Sequence, residues 1–268
     1  MKAYYHIYLP EDNSWIYLLL DQFKAIKDSS LDDKLQILNI TAIGKESNKE
    51  HFFSILKYHK NFINCEMFCD FFEKQYEDSD LKNFNKNPSN NFLTESITLH
   101  KLWKESKESS EDYPVLYFHA KGVTSQSRHL NENDVDFGYN NLVNYFYWRK
   151  FLDWSMLENH EECLKLLSDS KVDVVGTNYS SWPTHHFSGN YWWAKSKHIK
   201  KLRDPNDLAL WHKFRTEKDF PWYFTDRIKD EMWVLSEQAN IISLFNHDSP
   251  PPKSSLSECL ILKKEYAK

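Results

Sequence analysis

An uninterrupted apolar run lies near the middle of the chain, at Val115-Leu116-Tyr117-Phe118-His119, and it leads into Ala120-Lys121-Gly122. A run without polar alternation is typical of a strand that is buried on both faces, as in parallel sheets. A second run, Val172-Asp173-Val174-Val175, also continues into polar residues, Gly176-Thr177-Asn178. Ligands of open α/β sheets bind outside the carboxyl ends of the strands, so these two strand ends predict a binding site.

Strand-like and helix-like segments alternate from the N-terminus onwards. Residues 3–9 are rich in β-formers and stop at Pro10, and residues 15–26 have the apolar spacing of an amphipathic helix. Residues 36–43 predict a second strand, and residues 49–60 predict a second helix. Further helices are expected over residues 94–106, 139–167 and 226–240, and further strands over residues 187–194 and 241–245. The alternation predicts an α/β fold with a parallel or mixed sheet.

The chain length bounds the number of domains. With 268 residues, of which 41% are hydrophobic, the chain can bury the core of one large domain. The polar stretch at residues 77–91 is expected to be a loop or insertion, and the three prolines at 250–252 break regular structure. We therefore predict a single domain over residues 1–245 and a C-terminal tail over residues 246–268.

Charge and cysteine content bear on the partners and the compartment. The formal net charge of −5 gives no overall basic field, so nucleic acid is not expected as a partner. Four cysteines without metal-ligand spacing fit a reducing compartment. The apolar runs are shorter than the roughly 20 residues that span a bilayer. We predict a cytoplasmic protein, and peripheral association with the inner face of a membrane stays open because it needs only a modest surface patch.

The densest group of chemically active side chains lies at residues 185–193, which read His-His-Phe-Ser-Gly-Asn-Tyr-Trp-Trp. Sugars present hydroxyl groups and apolar C–H faces, so a sugar pocket combines hydrogen-bonding groups with aromatic surfaces. The predicted sugar-binding residues are His186, Ser188, Gly189, Asn190, Trp192 and Trp193. A metal site at the His185-His186 pair is a weaker alternative, because adjacent residues of a strand point to opposite faces.

The first apolar run ends in residues that suit a nucleotide diphosphate. Lys121 can neutralise a phosphate as a point charge, and Gly122 lets the backbone approach the ligand. His119 is a candidate catalytic residue at the same strand end, and the amide of Asn178 can bond a base or a sugar hydroxyl. The alternative is that His119 only caps its strand and that Lys121 is solvated.

Charged residues on two predicted helices complete the candidates. Arg149 follows Trp148 on the long helix, and Arg227 lies four residues before Glu231 on another. Both arginines are candidates for substrate binding, and Glu231 is a candidate general base for an acceptor hydroxyl. The alternative for Arg227 and Glu231 is a salt bridge along the helix, worth a few tenths of a kcal/mol.

These motifs, in this order, resemble those of glycosyltransferases from capsule and lipopolysaccharide gene clusters and from some large DNA viruses. That family carries H-(S/T/A)-K-G after a strand, then W-R, then D-x-x-G-x-N, and then H-F-S-G-N-(F/Y)-W-W-A. The matching segments here are His119-Ala120-Lys121-Gly122, Trp148-Arg149, residues 173–178 and residues 186–194. Glu231-Met232-Trp233 matches the family's E-x-W element. The resemblance covers most of residues 3–245, and the nine-residue block is its most specific part.

The resemblance implies a GT-A-like (Rossmann-like) fold with a mixed, mostly parallel sheet flanked by helices. It also implies a hexosyltransferase-type reaction, in which a sugar moves from a nucleotide-sugar donor to a glycan or a lipid-linked saccharide during surface polysaccharide synthesis. GT-A enzymes usually place Asp-x-Asp after the central strand to hold Mn²⁺ or Mg²⁺, whereas His119 and Lys121 occupy that place here. Asp134 and Asp136 form an Asp-x-Asp within a loop and are weak candidates for metal ligands, so metal dependence stays open.

Three functional hypotheses follow. In the first, the chain is a transferase. The first βα loop and the segment from His119 to Gly122 bind the diphosphate, residues 186–193 shape the sugar pocket, and Glu231 is the base. The second is a non-catalytic carbohydrate-binding or accessory domain with an aromatic cleft. The third, a metal-dependent hydrolase, requires a His/Asp cluster that the spacing of the twelve histidines does not show.

Overall fold

The computed structural model describes residues 1–11, 13–73, 95–120, 146, 148–181, 184–207 and 226–244, with side chains for all of these except residues 226–228. Within these ranges the strands are β1 (Lys2–Leu9), β2 (Ile37–Gly44), β3 (Glu66–Glu73), β4 (Pro114–His119), β5 (Val174–Gly176), β6 (Tyr179–Ser180), β7 (His186–Phe187), β8 (Trp192–Lys195) and β9 (Ile241–Ser243).

The helices in the same ranges alternate with these strands. The α-helices are α1 (Ser14–Asp28), α2 (Glu46–His59), α3 (Ser96–Glu108), α4 (His160–Leu167), α5 (Ser196–Ile199) and α6 (Asp226–Met232). Short 3-10 helices cover Leu31–Asp33 and Trp233–Leu235, and helical residues 148–153 continue into a π-helical segment, Trp154–Glu158. None of the helices in the described ranges is long and apolar enough to cross a bilayer.

Seven of the described strands form one sheet in the order β3-β2-β1-β4-β8-β5-β9, and β6 pairs with β7 separately. The pairs β1–β2, β2–β3, β1–β4 and β5–β9 are parallel. Strand β8 is antiparallel to both of its neighbours, β4 and β5. The predicted mixed, mostly parallel Rossmann-like α/β sheet is therefore confirmed, and its first four strands have the order 3-2-1-4 with which the common doubly wound sheet begins.

Burial explains which segments became central strands. In β4, Val115 to Phe118 are fully buried and His119 is 3% exposed, as expected for a strand covered on both faces. Strand β3 lies at the edge of the sheet, and its residues are half-buried or exposed in near alternation. The sequence analysis did not predict β3, because its run of 66–73 mixes charged residues with aromatic ones.

Helices pack on both faces of the sheet and enclose two apolar cores. Side chains of α1, α2 and the segment 151–167 pack on one face, where Phe118 and Trp193 project from β4 and β8. Side chains of α3, α5 and the turn at Trp233 pack on the other face, together with Tyr117 and Trp192. Successive residues of a strand point to opposite faces, so each strand contributes to both cores.

The predicted strand at residues 187–194 is divided in the structure. Strand β7 ends at Phe187, a turn follows, and β8 begins at Trp192. Gly189 has φ +97 and Asn190 has φ 55, both in the left-handed region, which interrupts an extended strand. The predicted helix over 226–240 likewise ends early, because α6 stops at Met232 and a 3-10 turn follows.

Candidate functional site

Strand β8 is antiparallel to both of its neighbours, so the turn that precedes it lies at the edge where the parallel strands end. We call this turn, residues 188–190, the motif turn. Trp192, the first residue of β8, lies opposite Tyr117 of β4 and Gly176 of β5. The residues just before Trp192 therefore meet His119, the last residue of β4, and Asn178, two residues beyond the end of β5. The structure thus brings together the two strand ends and the nine-residue motif that the sequence singled out.

The turn at Ser188, Gly189 and Asn190 is held by its own backbone. Ser188 N donates to Asn178 O at 3.0 Å, and Asn190 N donates to Phe187 O at 2.9 Å. A Cβ atom on Gly189 would lie 2.7 Å from Leu152 Cδ1, and φ +97 disfavours any L side chain there. Only glycine fits this position without displacing the core beside it.

The His119 ring is buried beneath the turn and contacts it directly. Its Nε2 lies 2.8 Å from Gly189 O, and its Nδ1 lies 3.4 Å from Glu95 Oε1. The side chains of His119 and Glu95 are only 4% and 8% exposed. The predicted catalytic histidine is therefore an internal group that bonds to the motif turn.

Glu95 is a functional candidate that the sequence analysis missed. Its Oε2 accepts hydrogen bonds from Tyr117 Oη at 3.0 Å and from Asn190 Nδ2 at 2.9 Å. Burial and the nearby Glu95 charge, in that order, raise the pKa of Tyr117 well above its usual value, so the phenol stays protonated and donates. Glu95 immediately precedes α3 and belongs to none of the motifs, so no local pattern marks it.

Glu231, on α6, also contacts the motif turn. Its Oε2 lies 3.5 Å from the backbone nitrogen of Gly189, and the residue is partly exposed. Glu231 and His119, the two predicted catalytic residues, therefore contact the amide nitrogen and the carbonyl oxygen of one glycine.

Ser188 presents a polar group at the surface of the turn. His186 Nδ1 lies 2.8 Å from the carbonyl oxygen of Thr184, which can only accept, so Nδ1 is the donor. In the neutral ring Nε2 then accepts from Ser188 Oγ at 3.2 Å. Asn178, with φ 57, supports the turn through its carbonyl oxygen.

The structure corrects the roles predicted for the two tryptophans. Trp192 and Trp193 are fully buried, so neither ring offers a face for a sugar. Trp192 Nε1 donates to Asn190 Oδ1 at 2.9 Å, and Trp193 Nε1 donates to Met156 O at 2.9 Å. Because β8 lies between two strands in a sheet covered on both faces, both rings belong to the core.

Arg149 is also an internal residue in this structure, where it was predicted to bind substrate. It is 3% exposed and donates to Asp21 Oδ2 at 2.8 Å. Its Nε lies 3.6 Å from Asp153 Oδ2, slightly beyond hydrogen-bond distance, so these two buried groups interact by charge. The guanidinium is thus held between the partly exposed Asp21 and the buried Asp153, and its Nε has no hydrogen-bond partner among the described residues.

A second network lies under His119 on the α1 face of the sheet. Gln22 Nε2 lies 2.9 Å from both Asp153 Oδ1 and Tyr191 Oη, and 3.3 Å from the carbonyl oxygen of His119. Tyr191 Oη donates to that same carbonyl. Burial raises the pKa of Asp153 to about 6, although the Arg149 charge and the Gln22 hydrogen bond oppose the shift. The sequence analysis identified neither Gln22 nor Asp153 as part of the site, whereas Tyr191 lies within the segment 185–193 that it singled out.

Several predicted residues lie outside the described part of the chain, namely Lys121, Gly122, Asp134 and Asp136. Arg227 lies on α6, but its side chain is among those not described. In the portion that is described, no three His, Cys, Asp or Glu side chains are grouped closely enough to hold a metal ion. The proposed metal ligands therefore remain a sequence prediction.

Comparisons with known proteins give a family but no function. No curated protein matches the chain. A crystal structure of 4-diphosphocytidyl-2C-methyl-D-erythritol synthase from Anaerococcus prevotii DSM 20548 is similar over 100% of this chain and 99% of that chain, with a TM-score of 0.42 and 8% identity. A similarity at this level does not bear on activity. The sequence profile of one family matches residues 4–239, so the chain belongs to the family described as Domain of unknown function (DUF8361).

Proposed function

We propose that the protein is a glycosyltransferase of the hexosyltransferase type. It transfers a sugar from a nucleotide-sugar donor to a glycan or lipid-linked saccharide acceptor in surface polysaccharide synthesis. One observation carries the proposal: Glu231 and His119, which are far apart in sequence, both contact Gly189 within the motif block at the carboxyl ends of the strands. Ligands of such sheets bind at this edge.

Glu231 is the proposed general base. Its carboxylate is partly exposed, and its hydrogen bond to Gly189 N is long at 3.5 Å, so an acceptor hydroxyl can compete for the same oxygen. In an inverting reaction the carboxylate takes the hydroxyl proton while the acceptor oxygen bonds to the anomeric carbon. The bond between that carbon and the diphosphate breaks, and the nucleoside diphosphate leaves with the electron pair.

The donor is assigned to the strand ends around the turn. Ser188 Oγ is partly exposed beside β7 and suits a sugar hydroxyl. We assign the diphosphate to Lys121 and Gly122, and further substrate contacts to Arg227, on the basis of the resemblance alone. Asp134 and Asp136 are the proposed ligands of Mn²⁺ or Mg²⁺ if the reaction needs one. A cytoplasmic position, including the inner face of a membrane, suits a nucleotide-sugar donor.

The transferase is preferred over a carbohydrate-binding domain for a specific reason. That alternative depended on an aromatic cleft formed by the motif block, and both of its tryptophans are fully buried. A thermal-shift panel compares the two functions, because a ligand that binds only the folded state raises Tm. Stabilisation by UDP or GDP supports the transferase, whereas a response to oligosaccharides alone supports the binding domain.

The direct test is donor hydrolysis across a panel of nucleotide sugars, with and without manganese. We expect one donor to be hydrolysed and Glu231→Gln to lower turnover by about 10²–10⁴-fold, the usual contribution of a general base. Glu162→Gln is the matched control, because Glu162 lies on α4 and pairs only with Lys165 among the contacts seen, at 3.0 Å. Full turnover by Glu231→Gln would remove Glu231 as the base.

A further inference from the structure

We propose that Glu95 and His119 form a buried ion pair, with His119 protonated on both ring nitrogens, and that this pair positions the turn at residues 188–190. His119 is then a positioning residue and does not touch substrate. The proton assignment stands on geometry alone, whereas the effect on catalysis rests on the proposed function.

The proton on Nε2 follows from its partner. A peptide carbonyl oxygen has no hydrogen to donate, and Gly189 O lies 2.8 Å from Nε2. That distance is a normal hydrogen bond and is too short for two facing lone pairs. Nε2 of His119 therefore carries a hydrogen.

The proton on Nδ1 follows from the surroundings of Glu95. Two neutral donors, Tyr117 Oη and Asn190 Nδ2, bond to Glu95 Oε2 at 3.0 and 2.9 Å. Hydrogen bonds donated to a carboxylate favour its ionised form. An ionised Glu95 can only accept, and its Oε1 lies 3.4 Å from Nδ1, so we infer a hydrogen on Nδ1 that faces this charge. With Nε2 already protonated, the ring is an imidazolium.

Among the described residues, other titratable groups lie near this pair on several packed elements. They are Tyr117 on β4, Tyr191 before β8, His6 opposite His119 on β1, and Asp230 and Glu231 on α6. His6 Nδ1 is engaged with Thr98 Oγ1 at 2.8 Å, and Glu231 meets the pair only through Gly189. Glu95 is thus the carboxylate seen at the His119 ring, and both members are almost fully buried.

The pair holds the turn at two points. His119 binds the carbonyl oxygen of Gly189, and Glu95 binds the side-chain amide of Asn190. Ser188 and the Gly189 N–H that contacts Glu231 belong to the same turn. Loss of the Glu95 charge therefore weakens the contact with Asn190 and the ring that binds Gly189, which displaces the groups assigned to substrate without removing any of them.

The first test needs no substrate. The protein is labelled with ¹⁵N-histidine, and the His119 signal is assigned by its loss in His119→Gln. At pH 8, where an ordinary histidine with a pKa of about 6.5 is neutral, we expect hydrogens on both ring nitrogens of His119. A single hydrogen on the wild-type ring at pH 8 would overturn the proposal, whatever activity the protein has.

The second test separates positioning from a general loss of structure. In Glu95→Gln we expect one ring hydrogen, on Nε2, and a turnover reduced by about 10–100-fold, as for a misplaced active-site group. Glu105→Gln is the matched control, because Glu105 lies on α3, the helix that directly follows Glu95 in the chain, and accepts from Tyr4 Oη at 2.7 Å and Lys2 Nζ at 3.1 Å.

The pH profile of turnover completes the second test. We expect Glu95→Gln to change it between about pH 6 and 8, around the usual histidine pKa, and Glu105→Gln to leave it unchanged. An unchanged profile in Glu95→Gln, or an equal change in both variants, overturns the positioning role. If no donor is turned over at all, the proposed function fails while the ¹⁵N result still decides the ion pair.

Discussion

Two buried carboxylates lie near His119, one on each face of the sheet, and their surroundings differ. Asp153, on the α1 face, accepts from Gln22 at 2.9 Å and lies 3.6 Å from Arg149. Burial outweighs these contacts and raises the pKa of Asp153 to about 6. Glu95, on the α3 face, has three donors within 3.4 Å.

The two networks also reach His119 by different routes. Gln22, from the Asp153 network, contacts the backbone carbonyl of His119, whereas Glu95 contacts the ring. Only the Glu95 network has a hydrogen bond into the motif turn, through Asn190. The backbone of His119 is thus held by the Asp153 network, while its ring links the charge of Glu95 to the motif turn.

The largest expected effect is on stability, when each carboxylate is removed in turn. Glu95→Ala removes the charge partner of His119 and leaves two buried donors without their acceptor, and we expect a loss of about 3–5 kcal/mol in the free energy of unfolding. Asp153→Ala leaves Arg149 bound to Asp21 at 2.8 Å, so we expect only about 1–3 kcal/mol. Urea unfolding at pH 7 measures both, and equal losses would contradict the difference drawn between the two networks.

Gly189 lies where the two faces meet, because its carbonyl contacts His119 and its α-carbon faces Leu152. Gly189→Ala combines a strained positive φ with a contact of 2.7 Å, and we expect a loss of about 2–4 kcal/mol. A double-mutant cycle with Leu152→Ala, followed by urea unfolding, isolates the steric part. No coupling between the two positions would mean that the turn does not press on the α1 core.

Asp153→Asn tests how the Asp153 carboxyl makes the free energy of unfolding depend on pH. A carboxyl whose pKa rises from 3.8 to about 6 on folding stabilises the protein below pH 3.8, and this contribution is lost as the pH rises through about 6. The change amounts to about 2–3 kcal/mol. We expect Asp153→Asn to remove this fall, measured by urea unfolding between pH 4 and 8. A fall of the same size in the variant would assign it to other groups.

Sequence patterns predicted most of the central strands of the fold. Apolar runs identify strands that are buried on both faces, which is why β1, β2, β4 and β5 were found near their observed positions. The edge strand β3 was missed because half of its residues face solvent and its pattern is ambiguous. The direction of β8 depends on a left-handed turn, whose φ values at Gly189 and Asn190 cannot be read from residue type alone.

The site was predicted less completely than the fold. The strand ends predicted that His119 and the motif turn lie close together, and Glu231, which was predicted on a helix, contacts the same turn. Trp192 and Trp193 were assigned to a ligand because aromatic residues suit sugars, but their exposure depends on the strands beside them, which is long-range information. Glu95 carries no local signal, since its partners are 22, 24 and 95 residues away in sequence.

The entry of β8 into the sheet has a mechanical consequence for the turn before it. Ser188 is four residues from Trp192, which is fully buried and paired with a strand on each side. Few residues therefore separate the turn from a fixed central strand. A displacement at Ser188 has to be absorbed within Gly189 and Asn190 or passed into a central strand. A turn attached in this way resists gradual adjustment. A substrate that needs the turn to shift would move it between discrete positions instead of along a continuous path.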